Sequence, residues 1–337
     1  MKPRIAVTVG DFNGIGPEVV LQSLRTKAVR ESCIPVLIGP ANVFLYYAGN
    51  GGKRLTLVPF SNRRIPPGAT AIVESSEVSP LQIAPGNLSQ AAGAAAASAI
   101  TVAAGMALRG EVDAMVTAPV SKQAMHLAGV RFPGQTEMLQ HLSKSPHVAM
   151  MLVSPTLRVG LVTIHIPLSD VSRALTSSLV IERITVIHSA LRQDWGIARP
   201  ALAILGLNPH AGEGGDIGTE EQDVILPALE RLRKKGIRLD GPFPADGFFA
   251  RYRPGAYDGV VAMYHDQGLI PLKMSSAGRA VNVSVGLRIV RTSPDHGTAF
   301  DRAGRDLADP GSMVEAILLA VRIAHNRRRH AQIVRHA

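Results

Sequence analysis

The chain has one cysteine, Cys33, in 337 residues, which excludes an internal disulfide and a cysteine-built metal cluster. Cys33 opens the strand-like run CIPVLIG, where a buried, inert thiol is expected. Aromatic residues make up only 4%, so the core must rest on Ala, Val, Leu and Ile, a composition suited to helices packed on a parallel sheet. Charged residues are 18% against 46% hydrophobic, a balance that excludes wholesale disorder. No uninterrupted apolar run has the length of a membrane span: residues 91–108 are alanine-rich but carry Ser, Thr and Gly. The N-terminus runs directly into IAVTVG without a signal-peptide pattern, so a soluble, cytoplasmic protein without a membrane partner is expected. Neither a G-x-S-x-G elbow nor a Walker loop occurs, which argues against hydrolase and nucleotide-kinase chemistry.

The formal net charge is +10. A good part of the excess lies at the C-terminus, in Arg322, Arg327, Arg328, Arg329 and Arg335, and reads as a solvated basic tail. Elsewhere the cations are scattered, and no aromatics interleave with them as a base-stacking surface requires. No nucleic-acid partner is expected, although the positive field would help to attract an anionic substrate.

Three histidines follow β-type apolar runs: His165 after Arg158–Ile164, His210 after Ala201–Leu207, and His265 after Gly259–Tyr264. In a parallel sheet such runs are buried strands, and ligands gather outside their carboxyl ends. Three imidazoles delivered there could share one divalent cation; hydrogen-bonded strand caps are the other reading. Strands and helices alternate along the chain. Strands are expected at Ile5–Gly10, Cys33–Gly39 and Val112–Thr117. Helices are expected from Pro17, over Ser89–Leu108, over Gly218–Gly236 with Thr219 as cap, and over Asp309–Asn326. Residues 61–86 read as irregular chain with short strands. This alternation predicts an α/β fold with helices on both faces of a mainly parallel sheet.

Several loops carry candidate chemistry. Gly10–Glu18 (GDFNGIGPE) joins a strand to a helix, and its Gly14 and Gly16 would admit a bound group close to the backbone; a plain tight turn accounts for them equally. Asn208–Gly218 (NPHAGEGGDIG) has more permissive backbone positions than a simple connection needs, which suggests a binding loop. In Tyr264–Gly268 (YHDQG), Asp266 could be a ligand, an orienter of the adjacent imidazole or a helix cap. Lys273, Asn282 and Arg291 recur at intervals of nine residues, and the two cations suit phosphate or carboxylate; surface charge is their plain alternative. Gly134–Glu137 (GQTE) reads as a helix entry whose Thr136 either bonds a ligand or caps the helix. Asp295–Thr298 (DHGT) reads as a helix start or an anion-binding turn.

GDFNGIGPE, VTAPVSK, PGQTE, GLNPHAGEGG, PADG, AMYHDQG and NVSVGL–RTSPDHGTA, in this order, resemble the 4-hydroxythreonine-4-phosphate dehydrogenase family of pyridoxal 5′-phosphate biosynthesis. The resemblance runs over nearly the whole chain. It implies a two-lobed α/β/α architecture like that of isocitrate dehydrogenase, with the active site in the interlobe cleft at a homodimer interface. Residues 1–130 with 290–337 are expected to form one lobe and 131–289 the other. By motif position His165, His210 and His265 match the family's divalent-metal ligands (zinc, magnesium, cobalt or similar, one per subunit). Gln135, Thr136, Lys273, Asn282 and Arg291 match its substrate-binding positions, and Asp246 of PADG an active-site carboxylate. Lys273, Asp246 and Asp266 are the expected catalytic set, and Gly14, Gly16 and Asn208 the expected cofactor contacts.

The implied reaction oxidises the C3 hydroxyl of 4-phosphooxy-L-threonine with NAD or NADP, and the β-keto acid then loses carbon dioxide to give 3-amino-2-oxopropyl phosphate. The chain departs from the family pattern twice. Gln135 stands where the family has histidine, so the position cannot carry charge or a titrating proton; Phe12 and Asn13 replace the usual proline-containing turn. Related activities remain open: oxidation of 4-phospho-D-threonate or 4-phospho-D-erythronate, or of a cyclic dihydrodiol dicarboxylate. Acyl-phosphate-forming transferases of similar fold need no three-histidine site.

Overall fold

Apolar, β-branched runs separated by Gly, Pro and Asn form parallel strands wherever helices can cover both faces. The computed structural model, which describes residues 2–50, 54–61 and 65–336, contains twelve strands, most of them paired in parallel. The chain divides into two units, residues 1–144 with 287–325 and residues 145–286 with 326–337. Each has an α/β organisation.

In the first unit β1 (Arg4–Thr8), β2 (Ile34–Ile38), β3 (Thr56–Pro59), β4 (Ala69–Val73), β5 (Ala114–Val116) and β12 (Arg291–Pro294) are ordered β3-β4-β2-β1-β5-β12. Every neighbouring pair is parallel. β1 is buried over Ile5, Ala6 and Val7, as a central strand of a parallel sheet should be. Helix Gly16–Arg25 starts with Pro in its first turn and Glu18 beside it. Glu18 also accepts hydrogen bonds from the backbone N–H groups of Gly304 and Asp306, pinning a distant turn. Cys33 is buried, and burial pushes its thiol up to about 12, an inert group. Residues 62–64, inside the stretch read as irregular chain, lie outside the described residues.

Helix Gln90–Leu108 is capped by the Ser89 hydroxyl, which accepts from the Ala92 N–H. By length and mean composition alone this helix is apolar enough to cross a membrane, although Ser98, Thr101 and Gly105 interrupt its apolar run as read from the sequence. More than half of it is buried inside the protein. Its alanines pack on other backbone: a Cβ at Gly93 would collide with the Ala124 carbonyl.

The second unit orders β11 (Val281–Val285), β6 (Ala149–Val153), β7 (Arg158–Leu161), β10 (Gly259–Ala262), β8 (Ala201–Leu205) and β9 (Arg238–Phe243) as β11-β6-β7-β10-β8-β9. β11, β6 and β7 run antiparallel to one another, whereas β7, β10, β8 and β9 are parallel. Leu152, Val159, Leu161, Ala203, Leu205, Val260, Ala262 and Leu272 form its core.

Two helical expectations differ from the structure. A wide π-type turn, Glu221–Ile225, precedes helix Leu226–Lys234, and Thr219 supplies only a backbone carbonyl to the Asp223 N–H. The competing principle is capture of a buried carboxylate: Glu221 is drawn inward to the strand ends described below, which widens the first turn. The final helix runs Gly311–His336, so most of the basic tail is helical. Arg327 donates to the buried carboxylate of Asp194 at 2.5 and 3.1 Å.

Candidate functional site

β7, β10 and β8 are adjacent and parallel, so their carboxyl ends open on one edge of the sheet. His165, His265 and His210 follow those three ends. Side chains that the sequence did not mark as part of the site lace the ends together. The Thr163 hydroxyl donates to the Met263 carbonyl at 2.7 Å. Gln267 accepts from the Met263 N–H at 2.7 Å and donates to the Gly206 carbonyl at 2.6 Å. Glu221, 2% exposed, accepts from the N–H groups of Leu207 and Asn208 at 2.6 and 2.8 Å and from the Asn208 amide at 2.9 Å. A buried carboxylate with three donors holds the start of the His210 loop. Asn208, an expected cofactor contact, spends its amide on Glu220 and Glu221.

That loop is left-handed over several consecutive residues: His210 (φ 53), Ala211 (φ 53), Gly212 (φ 83), Glu213 (φ 43) and Gly214 (φ 68). His165 has φ 53 as well. Left-handed backbone at non-glycine residues is costly, and it concentrates where a side chain must be aimed.

The His165 and His265 rings stand 5.8 Å apart and line one pocket together with Asp266 and Tyr264. Asp266 Oδ1 lies 2.7 Å from His265 Nδ1, the pairing that fixes a ring so that Nε2 can face a ligand. His210 lines a separate pocket with Asp246, in the first turn of helix Ala245–Ala250. Among the described residues no group of three His, Cys, Asp or Glu side chains stands close enough to hold a metal ion. His165 and His265 suit a shared cation in residue type and line one pocket; no third ligand completes a set with them among the described residues.

Helix His265–Ser276 carries Asp266 and Lys273 seven residues apart, one above the other on a single face. Asn282 lies on β11, and its Oδ1 is buried without a hydrogen-bond partner. A buried acceptor left without a donor is costly unless a ligand supplies one.

The other expected substrate residues lie in the first unit. Arg291 opens β12 beside β5 and is 2% exposed. Its Nε and Nη2 donate to the Thr117 hydroxyl at 3.1 and 2.8 Å, and Nη2 donates to Gln135 Oε1 at 3.2 Å. Burial pulls the guanidinium down to about 10, opposed by the charge of Glu137, so it remains protonated at neutral pH. Gln135 and Thr136 begin helix Gln135–Ser143, with Gly134 at the cap. The departure from histidine is thereby given a geometry: the Gln135 carbonyl accepts from Arg291, which leaves its amide N–H groups as donors. A buried guanidinium beside a helix N-terminus is suited to a phosphate or carboxylate.

Gly14 and Gly16 are explained by packing. A Cβ at Gly14 would stand 2.8 Å from Thr298, and one at Gly16 would stand 2.7 Å from the Val9 carbonyl. The Thr298 carbonyl accepts from the Ile15 N–H at 2.9 Å, so Asp295–Thr298 is a turn docked on the glycine loop and begins no helix. In the same loop Asp11 is fully buried, accepts from the Asn13 N–H at 3.0 Å with Oδ1, and leaves Oδ2 without a partner. Burial raises its carboxyl to about 6.

With this geometry in place, comparison with known proteins is specific. A family model described as pyridoxal phosphate biosynthetic protein PdxA matches residues 31–320. A 4-hydroxythreonine-4-phosphate dehydrogenase from Trichlorobacter lovleyi is 41% identical over 332 residues, 97% of this chain and 99% of that one. A D-threonate 4-phosphate dehydrogenase from Cupriavidus necator is 43% identical over 333 residues, 96% of this chain and 98% of that one. A crystal structure of 4-hydroxythreonine-4-phosphate dehydrogenase from Klebsiella pneumoniae has a TM-score of 0.87 at 39% identity, covering 96% of this chain and 98% of that one.

Proposed function

The chain belongs to the pyridoxal phosphate biosynthetic protein PdxA family, and from that membership we propose that it oxidises 4-phosphooxy-L-threonine at C3 with NAD or NADP. The observation that carries the reading is the convergence of the strand ends bearing His165, His210 and His265 on one edge of the sheet. These three imidazoles would hold one divalent cation such as zinc, cobalt or magnesium, with His210 joining the other two across a homodimer interface. A cation there would supply Lewis acidity, lowering the pKa of the C3 hydroxyl. The nicotinamide ring would supply the acceptor for the C3 hydride.

The chain's own residues bind and orient. Arg291, Gln135 and Thr136 neutralise and hydrogen-bond an anionic group of the substrate, and Lys273 contributes a second cation. Asn282 offers its partnerless Oδ1 to a substrate N–H or O–H donor. Asp266 holds the His265 ring, and Asp246, lining the pocket of His210, accepts the hydroxyl proton. Once C3 is a ketone the carboxylate is β to it, and carbon dioxide leaves with a proton returned to carbon from Lys273.

A second reading keeps the chemistry and changes the acid: 4-phospho-D-threonate or 4-phospho-D-erythronate. It is favoured by Gln135, which cannot titrate, and by the D-threonate 4-phosphate dehydrogenase among the relatives. Reduction of NAD and NADP with each phosphorylated acid tests both. Turnover with phosphooxythreonine above that with the hydroxy acids supports the first, and the reverse order establishes the second. An enzyme that reduces neither dinucleotide with any of these acids is not this dehydrogenase.

A further inference from the structure

In the first unit, the first residues of β1, β2 and β4, three neighbouring strands, border a cavity of about 710 Å³. It shares no residue with the candidate site. Three cations reach its wall, Lys2, Arg4 and Arg30, and no aspartate or glutamate does. Arg4 opens β1, and its guanidinium lies over the Phe60 ring, 5.6 Å from the centroid. Asp113 fixes the backbone there: its carboxylate accepts from the Arg4 N–H at 2.8 Å, and its own N–H donates to the Arg4 carbonyl at 2.8 Å. Lys2 Nζ donates to the Arg30 carbonyl, in the last turn of helix Lys27–Ser32, at 2.9 Å. An ammonium has three N–H donors, so two remain for a ligand. Lys2 and Arg30 are exposed and Phe60 is half-buried. Pro66 and Pro67 continue the wall.

We propose that this cavity is a second ligand site, for a small aromatic phosphate. Lys2 and Arg30, joined by the hydrogen bond just described, suit a dianionic phosphate, the arginine bidentately and the lysine as a point charge. Phe60 and the two prolines offer flat apolar surface against which a ring can lie. The volume is that of a small-molecule site. Like charges gathered on one wall with no lining carboxylate repel one another, and a bound anion relieves that repulsion. A solvated basic groove would account for the cations alone, but not for their meeting an aromatic ring and a proline pair around one cavity.

The test is calorimetric titration of the intact protein with phenyl phosphate, inorganic phosphate and phenol, compared with the double variant Lys2→Gln/Arg30→Gln and with Phe60→Leu. Thermal melts serve as the folding control. Wild type is expected to bind phenyl phosphate more tightly than either fragment, and less tightly as salt is raised. The double variant, at exposed positions, is expected to melt with wild type and to bind phenyl phosphate about tenfold or more weakly. Phe60→Leu, which keeps an apolar side chain in the wall, is expected to weaken phenyl phosphate several-fold and to leave inorganic phosphate unchanged. Phenyl phosphate that both variants retain within about twofold is bound elsewhere, at Arg291 for example, and overturns the assignment. Wild type that binds phenyl phosphate no more tightly than inorganic phosphate overturns it as well. Neither result bears on the dehydrogenase reading, which uses none of these residues.

Discussion

Replacing Thr117 by valine preserves its shape and removes the hydroxyl that accepts both Nε and Nη2 of Arg291. Thr117 is fully buried and Arg291 nearly so, hence water cannot take over as acceptor. Hydrogen bonds from a charged donor contribute about 1.5–3 kcal/mol each, and an orphaned buried donor costs its full desolvation. The two bonds share one oxygen, so the expected loss is about 2–4 kcal/mol. For a unit of this size that is a fall in Tm of roughly 5–15 °C. Thr117→Ser keeps the oxygen and should stay within about 1 kcal/mol of wild type. The guanidinium would also lose its fixed direction, so KM for the phosphorylated substrate should rise about tenfold in the valine variant. Thermal melts and initial rates on the three proteins check both effects. If the valine and serine variants melt together and share the wild-type KM, the hydroxyl does not hold the guanidinium and the reasoning fails.

Three further outcomes follow from the same geometry. Asp11 has a folded pKa near 6 against 3.8, so as pH rises the unfolded chain loses its proton first and stability falls between those values. Asp11→Asn should therefore gain about 3 kcal/mol over wild type at neutral pH and nothing near pH 3, measured as the pH dependence of the urea midpoint; parallel curves would contradict it. Glu221→Gln turns one acceptor into a donor facing backbone N–H groups, and should loosen the His210 loop and weaken divalent-metal binding about 10–100-fold, read by metal titration. Asp266→Asn should reduce metal affinity over a similar range while leaving the melting temperature within about 2 °C, since the pair is exposed; unchanged affinity would show that His265 needs no orienter.

The strand ends were legible because buried parallel strands require apolar runs, and polar residues immediately after such runs mark the ligand edge. The glycine content of Asn208–Gly218 announced an unusual backbone, but not that His210, Ala211 and Glu213 would also be left-handed, since non-glycine residues reach that region only where the surrounding fold holds them there. Thr163 and Gln267 escaped because their role is to join strands far apart in sequence. Thr117 sat inside a quoted motif, yet its partnership with Arg291 requires β5 and β12 to be neighbours, a fact of topology alone. Gln135 was readable as a departure from histidine; that it accepts from Arg291 needed coordinates.

The most direct test of the central claim is NAD(P) reduction with 4-phosphooxy-L-threonine, run with added divalent metal and again after chelation. The expected result is turnover that chelation abolishes and metal restores, and that is lost in His165→Ala, His210→Ala and His265→Ala alike. Turnover that survives chelation and all three substitutions would contradict it.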